Sequence, residues 1–133
     1  MADQLGAKAA LVTGASSGIG AATSQALAAE GANVVLAARS EDRLEALAGD
    51  IEADHAVETL VVPTDVREEA AVDNLIEQTV DAFDGFDILV NNAGLARGSD
   101  VETMATNDYE TMQETNIDGM FYATRAAIPH VRE

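Results

Sequence analysis

Short apolar runs alternate along the chain with longer stretches in which apolar residues recur at helical spacing. The short runs predict buried strands, because they end at turn-forming residues such as Gly, Asn and Pro. The longer stretches predict amphipathic helices. We therefore expect strands at residues 9–12, 33–38, 59–62 and 87–90, and helices at 19–30, 41–53, about 72–83 and about 107–130.

The helical stretches differ in how clearly they mark their ends and their buried faces. Gly31 lies where a cap is expected after the first helix. The third helix has the clearest apolar face, formed by Val72, Leu75, Ile76, Thr79, Val80 and Phe83. For the last helix we expect one stripe, with Pro129 near its end, formed by Tyr109, Met112, Asn116, Met120 and Ala127.

Strands that alternate with helices predict βαβ units and a parallel sheet. Right-handed crossovers favour the strand order 3-2-1-4, in which the chain reverses across the sheet between the first and fourth strands. The expected fold class is α/β, a Rossmann-type doubly wound parallel sheet limited to about four strands. Residues 1–133 are expected to form a single domain, since neither a repeat nor a linker interrupts the pattern.

The charge balance of the chain is strongly acidic. Asp and Glu total 24 against 7 Lys and Arg, for a formal net charge of −17. Because such a surface repels phosphate backbones, a nucleic-acid partner is not expected. The acidic residues are dispersed, and Lys8 is the only lysine. This composition favours a halophilic protein, whose self-repulsion concentrated salt would screen; an acidic protein of ordinary cytoplasm is the alternative.

Three further features narrow the class of protein. The chain has no Cys, and its two histidines, His55 and His130, lie far apart, so we expect neither a disulfide nor a metal site. No segment approaches the ~20 apolar residues of a membrane span. Residues 1–7 lack the layout of a signal peptide. We therefore expect a cytoplasmic protein with no membrane partner.

A glycine-rich segment, Thr13-Gly14-Ala15-Ser16-Ser17-Gly18-Ile19-Gly20, joins the first predicted strand to the first helix. Gly14 would permit a tight turn, Gly18 would let a pyrophosphate approach, and Gly20 would allow close packing of helix and strand. Free N–H groups at the helix start then supply an anion site that needs no lysine. The flanking elements favour dinucleotide binding over a merely tight turn.

The end of the second strand bears on the choice of nucleotide. An acidic side chain there would bind the adenosine ribose hydroxyls of NAD, whereas an arginine pairs with the 2′-phosphate of NADP. Ala38 is followed by Arg39, which favours NADP over NAD. Glu41 and Asp42 are nearby competitors for the guanidinium, and an arginine that only solvates a loop is the alternative.

The spacing T-G-x-x-x-G-I-G, with Asn91-Asn92-Ala93-Gly94 after the fourth strand, resembles the classical short-chain dehydrogenase/reductase family. The resemblance runs from about Gly6 to Arg132 and is closest to the 3-oxoacyl-carrier-protein reductases. Asp65-Val66 matches the family's adenine-contacting pair, and Thr115-Asn116 with Gly119-Met120-Phe121 matches the helix that carries its catalytic Asn. The resemblance implies Asn116 as the catalytic residue, and as cofactor contacts Thr13, Gly14, Ser16, Ser17, Gly18, Ile19, Gly20, Arg39, Asp65, Val66, Asn92, Ala93 and Gly94.

The resemblance also implies hydride transfer between a nicotinamide and a small carbonyl or alcohol substrate. In the family, a Tyr exchanges the proton and a Lys four residues later lowers its pKa. Here Tyr109 is followed by Gln113 at that spacing and Tyr122 by Ala126, so the motif is absent. In relatives, the Asn matched by Asn116 holds a water linked to the Lys; a helix Asn that kinks or caps locally is the alternative.

We therefore expect the cofactor-binding N-terminal half of an NADP(H)-dependent oxidoreductase, without its C-terminal catalytic half and inactive alone. A non-catalytic NADP(H) sensor or pseudoenzyme is the alternative, and a structural protein without ligand is a third, which the intact glycines oppose. A sheet ending at the fourth strand would leave an unpaired edge, for which a homo-oligomer is one solution.

Overall fold

The computed structural model describes residues 5–16, 18–92 and 105–131. Strands and helices alternate through the first two thirds of the chain, and helical turns of different pitch follow. In chain order the elements are β1 (Ala9–Thr13), α1 (Gly18–Ala29), β2 (Asn33–Ala38), α2 (Glu41–Asp54), β3 (Thr59–Pro63), α3 (Glu69–Phe83), β4 (Ile88–Val90), α4 (Thr106–Gln113), a π-helical turn (Glu114–Asp118), α5 (Gly119–Ala127) and a 3₁₀ turn (Ile128–His130).

The four strands form one parallel sheet in the order β3-β2-β1-β4, which confirms the predicted topology. Val12 on the central strand β1 pairs with Leu36 of β2 and with Val90 of β4. Ala38 pairs with Pro63 at the end of β3. Pro63 is therefore the last residue of the strand and not the residue that follows it. All four strands consequently end at one edge of the sheet.

Alternate residues of the strands pack on opposite faces of the sheet, as a doubly wound fold requires. On one face, Leu11 and Val35 join the buried residues of α3 and α5, including Leu75 and Ala127. On the other face, the core joins strand residues to α1 and α2 and consists of Val12, Ala15, Ala28, Val34, Leu36, Leu44, Ala48 and Ile51. Helices thus lie on both faces of the sheet. β1 and the middle of β2 are buried between them, whereas the outer strands β3 and β4 are mostly half-buried.

The end of α1 shows why the first crossover is short. Gly31 adopts a left-handed φ of 93°. Its N–H donates to the carbonyl of Ala28 at 3.0 Å, and the N–H of Ala32 donates to the carbonyl of Leu27 at 3.1 Å. These two bonds form a Schellman motif, which satisfies the last carbonyls of the helix. The predicted glycine cap is confirmed, and the chain enters β2 directly after it.

The last helical segment differs from the single regular helix that we expected. A π-helical turn at Glu114–Asp118 separates α4 from α5. The buried residues of α5 are Gly119, Ala123 and Ala127, whereas Met120 is 48% exposed. The predicted stripe is therefore wrong at Met120, because the wider π turn rotates the face that follows it. The side chains of Tyr109 and Met112 lie outside the described residues.

The segment after the 3₁₀ turn approaches the sheet beside β4. Val131 forms an isolated parallel bridge with Phe86, whose N–H donates to the carbonyl of His130 at 3.5 Å. Phe86 is itself fully buried in the core. This bridge holds Val131 beside the residues that lead into β4. Within the described residues, no helix combines the length and apolar character needed to cross a bilayer.

We expect Phe86→Ala to lower the free energy of unfolding by about 3–5 kcal/mol, because it removes a fully buried ring from the core beneath α3 and α5. Urea denaturation measures the change. Ile128→Ala is the control, since Ile128 is 67% exposed and its truncation should cost no more than about 0.5 kcal/mol. Equal effects of the two substitutions would contradict this assignment of the core.

Candidate functional site

At the edge where the four strands end, one buried hydroxyl joins the end of β1 to the end of β4. Thr13, the last residue of β1, donates its Oγ1 hydroxyl to the carbonyl of Val90 at 3.3 Å. The same Oγ1 accepts the N–H of Asn92 at 3.0 Å. The Asn92 side-chain amide then donates to the carbonyl of Gly14 at 3.2 Å. The turn after β1 and the residues after β4 are thereby fixed against each other.

The glycine-rich turn contains two close approaches that a side chain would obstruct. A Cβ at Gly20 would lie 2.1 Å from the Gly14 carbonyl oxygen and 2.6 Å from Asn92 Nδ2, so α1 begins in direct contact with the turn. Gly14 itself has a left-handed φ of 64°. The N–H of Ala15 donates to the carbonyl of Ala37 at 3.2 Å, which ties the turn to β2 as well.

The start of α1 is open toward the space beyond the strands. Gly18 has a φ of 57°, and no atom of the described residues lies within 4 Å of a Cβ built on it. The first turn of the helix contains no acidic residue. Ile19 is 76% exposed there, which is unusual for a large apolar side chain. Free N–H groups and the positive end of the helix dipole make this opening suited to an anion.

Arg39 and Asp65 leave the sheet side by side, next to this turn. Ala38 and Pro63 are paired at the ends of β2 and β3, and the N–H of Thr64 donates to the Ala38 carbonyl at 2.7 Å. Arg39 is exposed. In the described part of the chain, the arginine ion pairs are Arg67 with Asp65 and Arg125 with Glu69, so Arg39 belongs to neither.

The Asp65 carboxylate is bound at both oxygens by Arg67. Arg67 Nε lies 3.0 Å from Oδ1, and its Nη2 lies 2.7 Å from Oδ2. The Arg67 backbone N–H also donates to Oδ1 at 3.0 Å. Hydrogen bonding to Arg67 holds the pKa of Asp65 below its ordinary value, against the opposing effect of partial burial, and Arg39 adds a small electrostatic contribution in the lowering direction.

The loop after β3 is in contact with the beginning of α5. A Cβ at Gly119 would lie 2.6 Å from Cγ2 of Val66, so only glycine allows this approach. Val66 is buried in a small cluster with Val72 and Ala123. The Asn91 side-chain amide donates to the Thr124 hydroxyl at 3.0 Å, which joins the end of β4 to α5. The helix is therefore held against two strand ends.

Asn116 lies within the π-helical turn, half-buried, one turn before Gly119. Such turns are rare in proteins and often occur at functional sites. The alternative interpretation of Asn116, an Asn at a local irregularity of the helix, agrees with this π-helical turn. A catalytic role for Asn116 is compatible with the same backbone. Among the described residues, no three His, Cys, Asp or Glu side chains lie together in an arrangement suited to a metal ion.

The structure places most of the predicted site residues along the same edge. Thr13, Gly14 and Gly20 are brought together with Asn92, while Arg39, Asp65 and Val66 follow the neighbouring strands. Ser16 lies in the turn, half-buried. Ser17, Ala93 and Gly94 lie outside the described residues.

Sequence reasoning did not identify Arg67 or Thr124 as part of this edge, and it placed Asn91 after the fourth strand without assigning it a contact. Arg67 follows Asp65 by two residues, a spacing typical of a side chain that folds back on its neighbour, and this was the available signal. The Asn91–Thr124 contact joins residues 33 positions apart and had no sequence signal.

A sequence profile of the short chain dehydrogenases matches residues 8–133 of the chain. An uncharacterized oxidoreductase of Staphylococcus haemolyticus is 43% identical over 126 residues, which are 95% of this chain and 53% of that protein. An uncharacterized oxidoreductase of Staphylococcus aureus (strain MRSA252) is 40% identical over the same extent. The chain thus spans about half the length of the curated relatives that it matches.

Solved structures with the same fold include proteins with bound nicotinamide nucleotides. L-Sorbose reductase from Gluconobacter frateurii, complexed with NADPH and L-sorbose, has a TM-score of 0.91 and 35% identity over 98% of this chain and 49% of its own. A short chain dehydrogenase from Burkholderia cenocepacia in complex with NADP has a TM-score of 0.91 and 37% identity, over 98% of this chain and 53% of its own.

We expect Gly20→Ala to lower the free energy of unfolding by at least about 2 kcal/mol, because the new methyl group would collide with the Gly14 carbonyl and Asn92. Urea denaturation of the wild type, Gly20→Ala and the control Gly49→Ala measures the change. Gly49→Ala is the matched control: its Cβ meets nothing within 4 Å, and helix propensity predicts a gain of up to about 1 kcal/mol. A neutral Gly20→Ala would contradict the close packing.

We expect Asp65→Asn to destabilise the protein most above about pH 5. The folded-state pKa of Asp65 is lowered, so its contribution is fully present above its ordinary value and is lost as the pH falls through the lowered value. Urea unfolding between pH 7 and pH 3 should show the variant converging on the wild type. Asp50→Asn, exposed on α2 and outside the two described arginine ion pairs, is the control. A pH-independent difference would contradict the assignment.

Proposed function

Because the chain belongs to the short-chain dehydrogenase family, we propose that it binds NADP(H) at the carboxyl edge of its sheet, as the cofactor-binding part of an oxidoreductase. One observation carries the proposal. An open helix start at a glycine-rich turn and an exposed arginine after the adjacent strand lie at the same edge. These features suit the pyrophosphate and the 2′-phosphate of one ligand.

The turn between β1 and α1 fits a pyrophosphate. The contact of Gly20 with Gly14 brings the first N–H groups of α1 close to the strand end, and the space above Gly18 is open. Since no acidic side chain stands in the first turn of α1, the helix dipole there is not neutralised. Ile19, largely exposed, gains an apolar partner when a nucleotide covers it.

The end of β2 supports NADP over NAD. Ala38 leaves room at the position where a carboxylate would bind the ribose hydroxyls, and Arg39 supplies a planar donor for a phosphate. L-Sorbose reductase and the Burkholderia dehydrogenase, both of which match nearly the whole chain, were solved with NADPH and NADP. Glu41 and Asp42, at the start of α2, are the carboxylates that a 2′-phosphate would displace from the neighbourhood of Arg39.

Hydride transfer between the nicotinamide and a small carbonyl or alcohol is the chemistry that we propose for the whole protein. Asn116, in the π turn that leads into α5, is our candidate for the residue that positions a water near the reacting groups. The sequence holds one lysine, Lys8, and no Tyr-x-x-x-Lys. We propose that the chain alone binds cofactor without turnover, and that a complementary segment supplies the proton-transfer residues.

A second candidate is a non-catalytic NADP(H)-binding sensor or pseudoenzyme, which needs the glycine-rich turn and Arg39 but no Tyr-x-x-x-Lys. The two candidates differ in one observable. An enzyme part should gain carbonyl reduction, followed as loss of NADPH absorbance, when a C-terminal half of a relative is joined to it. A sensor should bind NADPH equally well and gain no turnover.

The acidic surface of α2 supports a further proposal, which concerns the salt concentration in which the protein works. Its exposed residues are mostly acidic and include Glu41, Asp42, Glu45, Asp50, Glu52 and Asp54. We propose that the protein works in a salt-rich cytoplasm, where short-range screening reduces repulsion among these carboxylates.

We expect Arg39→Gln to weaken NADPH binding about tenfold or more and to leave NADH binding nearly unchanged, because a charge-assisted bond to the 2′-phosphate is lost. Fluorescence titration with each nucleotide measures both constants. Lys8→Gln removes the same charge from an exposed residue at the opposite end of β1 and should change neither. Equal affinities for NADPH and NADH in the wild type would contradict the proposed cofactor.

A further inference from the structure

Three carboxylates lie near Arg39, either next to it in the chain or after the adjacent strand, and a phosphate bound by Arg39 would compete with them. Glu41 and Asp42 lie in the first turn of α2, and Asp65 follows the strand paired with β2. The positive charge of Arg39 contributes, as the last of several causes, to the lowering of the pKa of Asp65. An unpaired carboxylate at Asp65 would attract Arg39 and repel a 2′-phosphate, and both effects would disfavour NADPH.

Arg67 removes this competition by occupying Asp65 at two points. Its Nε lies 3.0 Å from Oδ1 and 3.2 Å from Oδ2, and its Nη2 lies 2.7 Å from Oδ2. Two-point pairs of this kind fix the orientation of both planar groups. The backbone bond from Arg67 to Oδ1 holds the carboxylate from a third direction. Asp65 is therefore neutralised locally and held in place.

We propose that Arg67 is a specificity-determining positioning residue, which holds Asp65 in a two-point ion pair and so leaves Arg39 available to the 2′-phosphate. This inference rests on the proposed function, since it deepens the account of NADP(H) binding. It assigns no contact between Arg67 and the nucleotide. Arg67 acts through Asp65.

Two further carboxylates interact with Arg67 besides that of Asp65. Glu68, its chain neighbour, and Glu114, at the start of the π turn, both interact electrostatically with its guanidinium. Removal of the guanidinium therefore leaves three carboxylates near the end of β3 without it. The resulting negative potential should weaken binding of the nucleotide that carries the extra phosphate.

The test is fluorescence titration of NADPH and NADH against the wild type, Arg67→Gln, Arg67→Lys, Asp65→Asn and the double variant Arg67→Gln/Asp65→Asn. We expect Arg67→Gln to reduce the NADPH-to-NADH affinity ratio at least about fivefold, mainly through weaker NADPH binding. The ratio for Arg67→Lys should lie between those of the wild type and Arg67→Gln, because lysine keeps the positive charge but lacks the planar guanidinium that binds a carboxylate at two points. The double variant should recover most of the lost ratio, since the freed carboxylate is gone.

A loss of stability alone would change both affinities together and leave their ratio intact, so the ratio separates positioning from folding. Lys8→Gln controls for the change in net charge. An unchanged ratio in Arg67→Gln, or a double variant as impaired as Arg67→Gln, would overturn the inference. If Arg67→Gln does not fold, the ratio of Arg67→Lys decides in the same way.

The experiment also separates failure of this inference from failure of the proposed function. A wild type that does not favour NADPH overturns both. A wild type that favours NADPH, loses the preference in Arg39→Gln and keeps it in Arg67→Gln overturns the role of Arg67 alone.

Discussion

The contact between the start of α1 and the turn after β1 is the constraint on which the site depends. Gly20 brings the helix backbone against the Gly14 carbonyl, at a distance that excludes even a methyl group. Thr13 and Asn92 fix the same turn to the end of β4 by hydrogen bonds. Because the turn is held from both sides, the first N–H groups of α1 have a fixed direction relative to the edge of the sheet.

At the neighbouring strand ends, the electrostatic environment depends on a few arginines in a strongly acidic protein. The chain carries a net charge of −17, so an anion approaching this edge meets an unfavourable overall field. The helix start and two arginines offset that field locally. Arg67 engages the Asp65 carboxylate, and Arg39 stays exposed and outside the ion pairs of the described residues. Under the proposed function, the two arginines at this edge have separate roles, Arg67 on a carboxylate and Arg39 on the nucleotide.

The second half of the chain shows where a periodic pattern stops being informative. Counting apolar positions from Tyr109 to Ala127 predicted one helix with one buried stripe. The π turn changes the rotation of the helix at Glu114–Asp118, and the small residues Gly119 and Ala123 turn inward in place of Met120. Their small size permits the contact with Val66, which joins α5 to the loop after β3. A hydrophobicity pattern cannot show this, because it ranks residues by polarity and not by how closely two backbones approach.

The sequence by itself determined the α/β class, the strand order, the glycine cap of α1, and the glycine-rich turn and Arg39 as candidate phosphate contacts, whereas Asp65 entered only through the family resemblance. These features depend on local chemistry: apolar period, positive φ at glycine, and the short connections of a parallel sheet. The tertiary structure alone decided the pairing of Asp65 with Arg67, the Asn91–Thr124 bond and the π turn around Asn116. The physical reason is that each of these depends on side-chain orientation or on the packing of one element against another, which residue type and spacing do not specify.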